Sequence, residues 1–250
     1  MEKLEKNKFR YGLVGRDISY SFSRGYFKEK FSNLRLEHCS YENFDLKEID
    51  EFKKVIGEND DIKGLNVTIP YKEAIIPYLN ELDFQAEKIG AVNTIKFTPE
   101  GLMGFNTDAY GFRKSLERHL KRHHKKALVL GTGGASKAIA FVLDELGIDF
   151  SFVSRNPSKN QLSYSDLTAE ILNENLMVIN STPLGTYPEI EKKPAIPYEH
   201  IGRKHLLFDL IYNPEKTAFL KEGELRDATI CNGLQMLEFQ AEKAWEIWNS

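Results

Sequence analysis

Cysteine is scarce: Cys39 and Cys231 are the only two in 250 residues, far apart and without metal-ligand spacing. The six histidines form no HExxH pattern and no Cys/His cluster, so no metal site is expected. An excess of charge of one sign is also missing. Lys and Arg number 34 against 37 Asp and Glu, a formal net charge of -3, whereas a nucleic-acid partner needs a strongly basic face. The densest basic run, "RHLKRHHKK" at 118–126, reads as the solvated end of a helix, where cations suit the macrodipole. No apolar run approaches membrane-spanning length, and the start, "MEKLEKNKF", has no apolar signal-type core. A cytoplasmic protein without membrane or nucleic-acid partners is the expectation.

What is present is the composition of a soluble globular chain, with 41% hydrophobic and 28% charged residues. The length allows two domains. The first hundred residues alternate between strand and helix patterns: strands at 9–15, 36–44 and 62–69, helices at 24–34, 46–56 and 71–79. "TPEG" then joins "AVNTIKF" and "LMGFNTD" as a hairpin turn. A second alternation starts with the strand, glycine turn and helix of 125–147 and continues with strands at 149–155, 176–185, 205–212 and 228–233. Their near-continuous apolar character fits a parallel sheet buried on both faces. A last helix spans 234–248. The fold class is therefore α/β, in two α/β domains.

"LVLGTGGAS" sets Gly131, Gly133 and Gly134 between a strand and a helix. Gly131 suits the tight turn, Gly133 permits close approach of a pyrophosphate, and the helix start supplies free N–H groups. Ser136 stands where glycine or alanine is usual. The next strand ends in "VSRNPSK", and Arg155 lies 24 positions after Gly131 (155 − 131). An NAD enzyme carries an acidic residue near there, for the ribose hydroxyls. Here there is none; Arg155 and Lys159 instead offer cations for a 2′-phosphate, which favours NADP.

The N-terminal half carries four polar clusters at expected strand ends: Ser21 and Ser23; Asn66, Thr68 and Lys72; Asn93; and Asn106 with Asp108. Open α/β sheets bind ligands at such ends. Singly each has a local explanation, Ser23 and Asp108 as helix caps and Asn93 as a turn residue. Lys72 is expected at a helix N-terminus, electrostatically a poor position for a cation.

"NVTIPYK", "GAVNT", "GFNTD", "GTGGAS", "NSTPLG" and "NGLQMLEFQ" occur in an order and spacing by which the chain resembles the shikimate dehydrogenases, nearly end to end. That resemblance implies a substrate domain of residues 1–105 plus 234–250, to which the last helix returns, and a Rossmann-type NADP domain of 106–233. It implies Lys72 and Asp108 as the catalytic pair. Ser21 and Ser23 would bind the substrate carboxylate, with Tyr212 near it. Asn66, Thr68, Asn93 and Asn106 would hold the ring hydroxyls or carboxylate, and Gln240 would reach back to the substrate. For the cofactor it adds Ala135 and Ser136 in the turn, Ser154 beside Arg155, and Thr182 and Gly233 further on. The implied reaction is NADPH-dependent, reversible reduction of 3-dehydroshikimate to shikimate, by a monomer or homodimer.

The chain departs from the family pattern after the second serine, where Arg24 replaces a proline, and in "NPSKNQLSYSDL", which is short for the helix usual there. An NAD-using quinate/shikimate dehydrogenase is the near alternative. A dehydrogenase of amino acids or methylene-tetrahydrofolate, or a non-catalytic metabolite sensor, is more distant. For the serines, a spacing of two predicts both hydroxyls on one side of an extended segment.

Overall fold

The computed structural model describes residues 8–19 and 21–250; the charged start at 1–7 and Tyr20 lie outside the described residues. The chain divides into two compact units, one running to Thr107 and including Ala241–Ser250, the other Asp108–Gln240. The second border falls inside the last helix.

The first unit contains β1 (Phe9–Gly15), α1 (Phe22–Asn33), β2 (Cys39–Asp45), α2 (Phe52–Gly57), β3 (Ile62–Val67), β4 (Glu81–Leu82), α3 (Phe84–Ile89), β5 (Thr94–Thr98) and β6 (Gly101–Phe105). They form one sheet in the order β2-β1-β3-β5-β6-β4. β1 is parallel to both β2 and β3, while the hairpin β5–β6 is antiparallel and docks antiparallel on β3. The ends of β1, β2 and β3, the start of β5 and the end of β6 therefore meet at one pole. Register makes this specific: Asn66 pairs with Thr94, and Thr94 with Phe105.

Three local expectations fail here. Residues 71–79 are not an α-helix but a succession of turns ending in a 3-10 turn at Ile76–Tyr78. Pro77 has no N–H to donate to Glu73, and its ring would crowd that carbonyl in a helix. One helical hydrogen bond forms, Ile75 N to Tyr71 O at 3.0 Å, and the next shortens to Ile76 N–Glu73 O at 3.2 Å. Residues 46–56 split into a 3-10 turn, Ile49–Glu51, and the short α2. α3 was not anticipated; Asp83 caps it by accepting from Ala86 N at 3.0 Å and Gln85 N at 3.2 Å.

The final helix secures its end to this sheet through an aromatic cluster. Trp248 is 7% exposed, packs its indole 5.0 Å from the Tyr11 ring and 5.3 Å from Phe27, and donates Nε1–H to Ile95 O at 3.0 Å. A buried indole keeps a partner for its only polar group.

The second unit contains α4 (Thr107–Glu117, from Asp108 on), β7 (Lys126–Leu130), α5 (Gly134–Glu145), β8 (Asp149–Ser154), β9 (Leu162–Ser163), α6 (Ala169–Glu174), β10 (Met177–Asn180), β11 (Leu206–Asp209), α7 (Ala218–Glu224), β12 (Thr229–Cys231) and α8 (Leu234–Trp248, to Gln240). Its sheet is parallel throughout, in the order β12-β11-β10-β7-β8-β9. This is the doubly wound order with its reversal between β7 and β10, the switch point where such sheets bind nucleotides. β10 and β11 are buried along their whole length, as a sheet covered on both faces requires. Between β8 and β9 there is no α-helix, only turns, so the shortened connection seen in "NPSKNQLSYSDL" is real. The basic run 118–126 does not close a helix: α4 stops at Glu117 and turns follow. His124 within it is buried, with Nε2 3.1 Å from Lys204 O and Nδ1 accepting from Lys121 N, so the run is not simply a solvated face.

Candidate functional site

In the first unit the strand ends converge on a buried polar cluster. Val67 N donates to Asn93 O at 2.9 Å and Thr68 N to Val14 O at 2.9 Å, which carries β3 past its last strand residue. The turn then brings Lys72 back: its carbonyl accepts Val92 N at 2.7 Å. The half-buried Lys72 thus stands one residue away from the hydrogen-bonded level of Asn93, in a turn rather than at a helix start. The anticipated conflict with a helix dipole does not arise.

Asn93, 3% exposed, binds both ends of its amide to Thr107, donating Nδ2–H to Oγ1 at 3.0 Å and accepting the Thr107 N–H at 2.7 Å. Asn106 donates Nδ2–H to Ala91 O at 2.9 Å. Asn66 is also buried. It donates to Asn93 O and Thr94 Oγ1, each at 3.2 Å, and accepts the Tyr41 hydroxyl at 2.8 Å. Both of its amide protons are therefore committed within the protein. Tyr41 on β2 is thereby tied through Asn66 on β3 to the Asn93 carbonyl. Burial drives the Tyr41 phenol far above its ordinary range, opposed by the Ser23 hydrogen bond. It remains a neutral donor.

The two serines do not share one extended segment. Ser21 is extended (φ -61°, ψ 128°) at the N-cap of α1, without a side-chain capping bond, whereas Ser23 is already inside the helix. Period-two reasoning fails because the helix begins at Phe22, two residues earlier than its apolar spacing indicates. The serine loop is shaped by β2: Asp45 accepts Asp17 N at 2.9 Å and Ile18 N at 3.3 Å, and Asn43 donates to Ile18 O at 2.7 Å. Tyr41, Asn43 and Asp45 alternate along β2 and so share one face. Sequence reasoning missed all three, although their period of two was visible.

In the second unit the glycine turn lies at the switch point. Gly131 adopts φ +100°, and a Cβ there would stand 3.0 Å from Ser181 Oγ, so both conformation and space require glycine. Gly133 is the extended N-cap of α5 with open space where a Cβ would project, while Gly134 and Ala135 begin the helix. That opening, the free N–H groups of a 12-residue helix and the dipole fit a pyrophosphate. Ser136 points elsewhere: it is 1% exposed and donates Oγ–H to Gly133 O at 2.6 Å, bracing the turn from within. Past β8, Ser154 Oγ accepts Asn156 N at 3.2 Å, and Arg155 and Lys159 are exposed cations. The same connection contains no carboxylate before Asp166.

Thr182 follows β10 and donates Oγ–H to Asn180 Oδ1 at 2.7 Å. Tyr212 follows β11. Gly233 packs its Cα against the Leu210 carbonyl so closely that a side chain would overlap it, and its own carbonyl accepts Leu237 N at 3.0 Å at the start of α8. Its place is thus required by backbone packing. Gln240, buried in α8, donates to Leu237 O at 3.0 Å. Asp108, Tyr212 and Gln240 belong to the second unit, and the serines, asparagines, Thr68 and Lys72 to the first. Sequence reading also missed a buried trio, Asn180 and Asp209 at the ends of β10 and β11 and Thr217 at the N-cap of α7. Burial raises the Asp209 carboxyl to about 6, against hydrogen bonds from Thr217, Ile211 N and Asn180 that pull it down.

No helix among the described residues is long and apolar enough to cross a membrane. Residues 13–95 match the family described as the shikimate dehydrogenase substrate binding domain. The chain is 40% identical over 249 residues to a shikimate dehydrogenase (NADP(+)) of Clostridium botulinum strain Hall, covering 95% of each protein. It is 37% identical to that of Methanosphaera stadtmanae, covering 95% of this chain and 90% of the relative. Among solved structures, shikimate 5-dehydrogenase from Thermus thermophilus, in complex with NADP(H) and shikimate, superposes with a TM-score of 0.85 at 30% identity, covering 96% of this chain and 93% of that one. With such identity along nearly its whole length, the chain belongs to the shikimate dehydrogenase family.

Proposed function

We propose that the protein catalyses the reversible NADPH-dependent reduction of 3-dehydroshikimate to shikimate, a step toward chorismate and the aromatic amino acids. The first unit is the substrate domain and the second the NADP domain. The observation that carries this reading is the pole of the first sheet, where the Val92 N–Lys72 O bond and the Asn66–Thr94–Phe105 register gather Lys72, Thr68, Asn93 and Asn106 into one rigid polar cluster. Hydrogen-bonding groups held in fixed positions discriminate among substrates by the pattern of their hydroxyls.

Bound NADPH supplies the hydride for the carbonyl carbon. The Lys72 ammonium donates the proton to the carbonyl oxygen and stabilises charge developing there. Asp108 is the second member of the catalytic pair, supplying the carboxylate whose charge complements an ammonium. Ser21 and Ser23 take the substrate carboxylate, with Tyr212 beside it, and Gln240 contacts the ring. Gly133, Gly134 and Ala135 receive the pyrophosphate, and Thr182 and Gly233 line the nicotinamide end. Arg155 and Lys159 take the 2′-phosphate, with Ser154 alongside.

Purified protein, assayed by nicotinamide absorbance with shikimate or quinate and with NADP or NAD, tests the reading. Turnover of shikimate with NADP is expected; turnover only with quinate and NAD would overturn it. Lys72→Ala should lower kcat by about a hundredfold or more with far less effect on KM, the scale for a positioned proton donor. Asp108→Asn should behave alike, and the double variant should cost much less than the two losses combined. Independent losses would mean that the two residues do not act as a pair.

A further inference from the structure

The polar trio of the second unit has a connectivity that simple core filling does not need. Asn180 and Asp209 are the last residues of adjacent strands β10 and β11 and are paired in register. Both are fully buried. Asp209 Oδ1 accepts two hydrogen bonds, from Asn180 Nδ2 at 3.0 Å and from Ile211 N at 3.1 Å. Oδ2 accepts the Thr217 hydroxyl at 2.5 Å. The Asn180 amide, oriented by that first bond, turns its Oδ1 to Thr182, accepting N–H at 3.1 Å and Oγ–H at 2.7 Å. Two chains of contact thus leave one carboxylate oxygen. One passes through Asn180 to Thr182, and the other through Ile211 N to the segment that continues into Tyr212.

We propose that Asp209 is a positioning residue that sets two arms from a single oxygen, the cofactor arm at Thr182 through Asn180 and the substrate arm at Tyr212 through the Ile211 turn. This rests on the reading that Thr182 meets NADP and Tyr212 meets shikimate. An ionised carboxylate suits the junction, because three donors converge on its two oxygens. An amide at 209 can still present its oxygen to Asn180 and Ile211 while its NH2 faces Thr217, whose hydroxyl rotates to accept. Alanine at 209 releases both arms, and alanine at 180 releases only the first.

The split between the two Michaelis constants tests this, because a merely structural role would lower the active fraction and leave both constants alone. Asn180→Ala should raise KM for NADP about tenfold, the scale of one lost strong hydrogen bond, with KM for shikimate moving much less. Asp209→Ala should raise both, and Asp209→Asn should recover most of that loss. Equal rises in both constants for Asn180→Ala, or a fall in kcat with both constants unchanged, would overturn the proposal. Should Asp209→Ala fail to fold, Asn180→Ala against Asp209→Asn still decides the cofactor arm. Wild-type turnover of shikimate with NADP is the control for the underlying reading. If it is absent, equilibrium dialysis of NADP against wild type and Asn180→Ala tests the cofactor arm by itself.

Discussion

Tyr41→Phe isolates one hydroxyl of the first unit's buried hydrogen-bond network. The ring survives, so its stacking on Phe27, with centroids 4.7 Å apart and planes 9° from parallel, is retained. What disappears is the donor to Asn66 Oδ1 at 2.8 Å. Asn66 is 3% exposed, so water does not readily take the place of the lost hydroxyl. A buried acceptor stripped of its donor costs about 1–3 kcal/mol, more than the net worth of an average hydrogen bond. Urea unfolding followed by tryptophan fluorescence reads that cost selectively, because both tryptophans, Trp245 and Trp248, belong to the first unit. The midpoint should fall by that free energy with the slope unchanged. An unchanged midpoint would refute the account of Asn66.

Arg155→Ala should weaken NADP by roughly 1.5–3 kcal/mol, as for a hydrogen bond to a charged group, and leave NAD nearly unaffected in a direct comparison of dissociation constants. Equal weakening of both would assign Arg155 to the shared adenine. Ser21→Ala should raise KM for shikimate without a stability loss, because the Ser21 hydroxyl makes no capping bond. A stability loss of about 1 kcal/mol with KM intact, the signature of a cap, would remove its carboxylate role. Asp209 titrates at about 6 in the folded protein, above the ordinary carboxylate value. The folded state therefore holds the proton more tightly, and stability falls as pH rises from about 4 to about 6. Asp209→Asn lacks this titration, so between those limits its stability relative to wild type should improve by up to about 3 kcal/mol in circular-dichroism unfolding curves. A pH-independent difference would show that Asp209 does not titrate there.

Short-range signals carried much of this protein. "LVLGTGGAS" determines its strand, turn and helix locally, because a positive-φ glycine and a free helix start need no distant partner. The buried parallel strands were legible in their continuous apolar runs, and the hairpin in "TPEG". The missing helix after β8 was legible as a shortage of residues. Where a competing local rule intervened, the pattern misled: the apolar spacing of 71–79 reads as helix until Pro77 removes a donor, and the serine pair reads as extended until α1 starts at Phe22. The polar interior was different in kind. Tyr41 meets Asn66 across 25 positions and Asn180 meets Asp209 across 29. A lone buried tyrosine or aspartate carries no sequence mark of its partner. Sheet register alone brings these groups together, because strand pairing is decided by the packing of whole faces and not by the residues that end up bonded. The sequence determined the elements, the glycine turn and the chemical groups available; the tertiary structure decided which groups are consumed inside the protein and which are left to face a ligand.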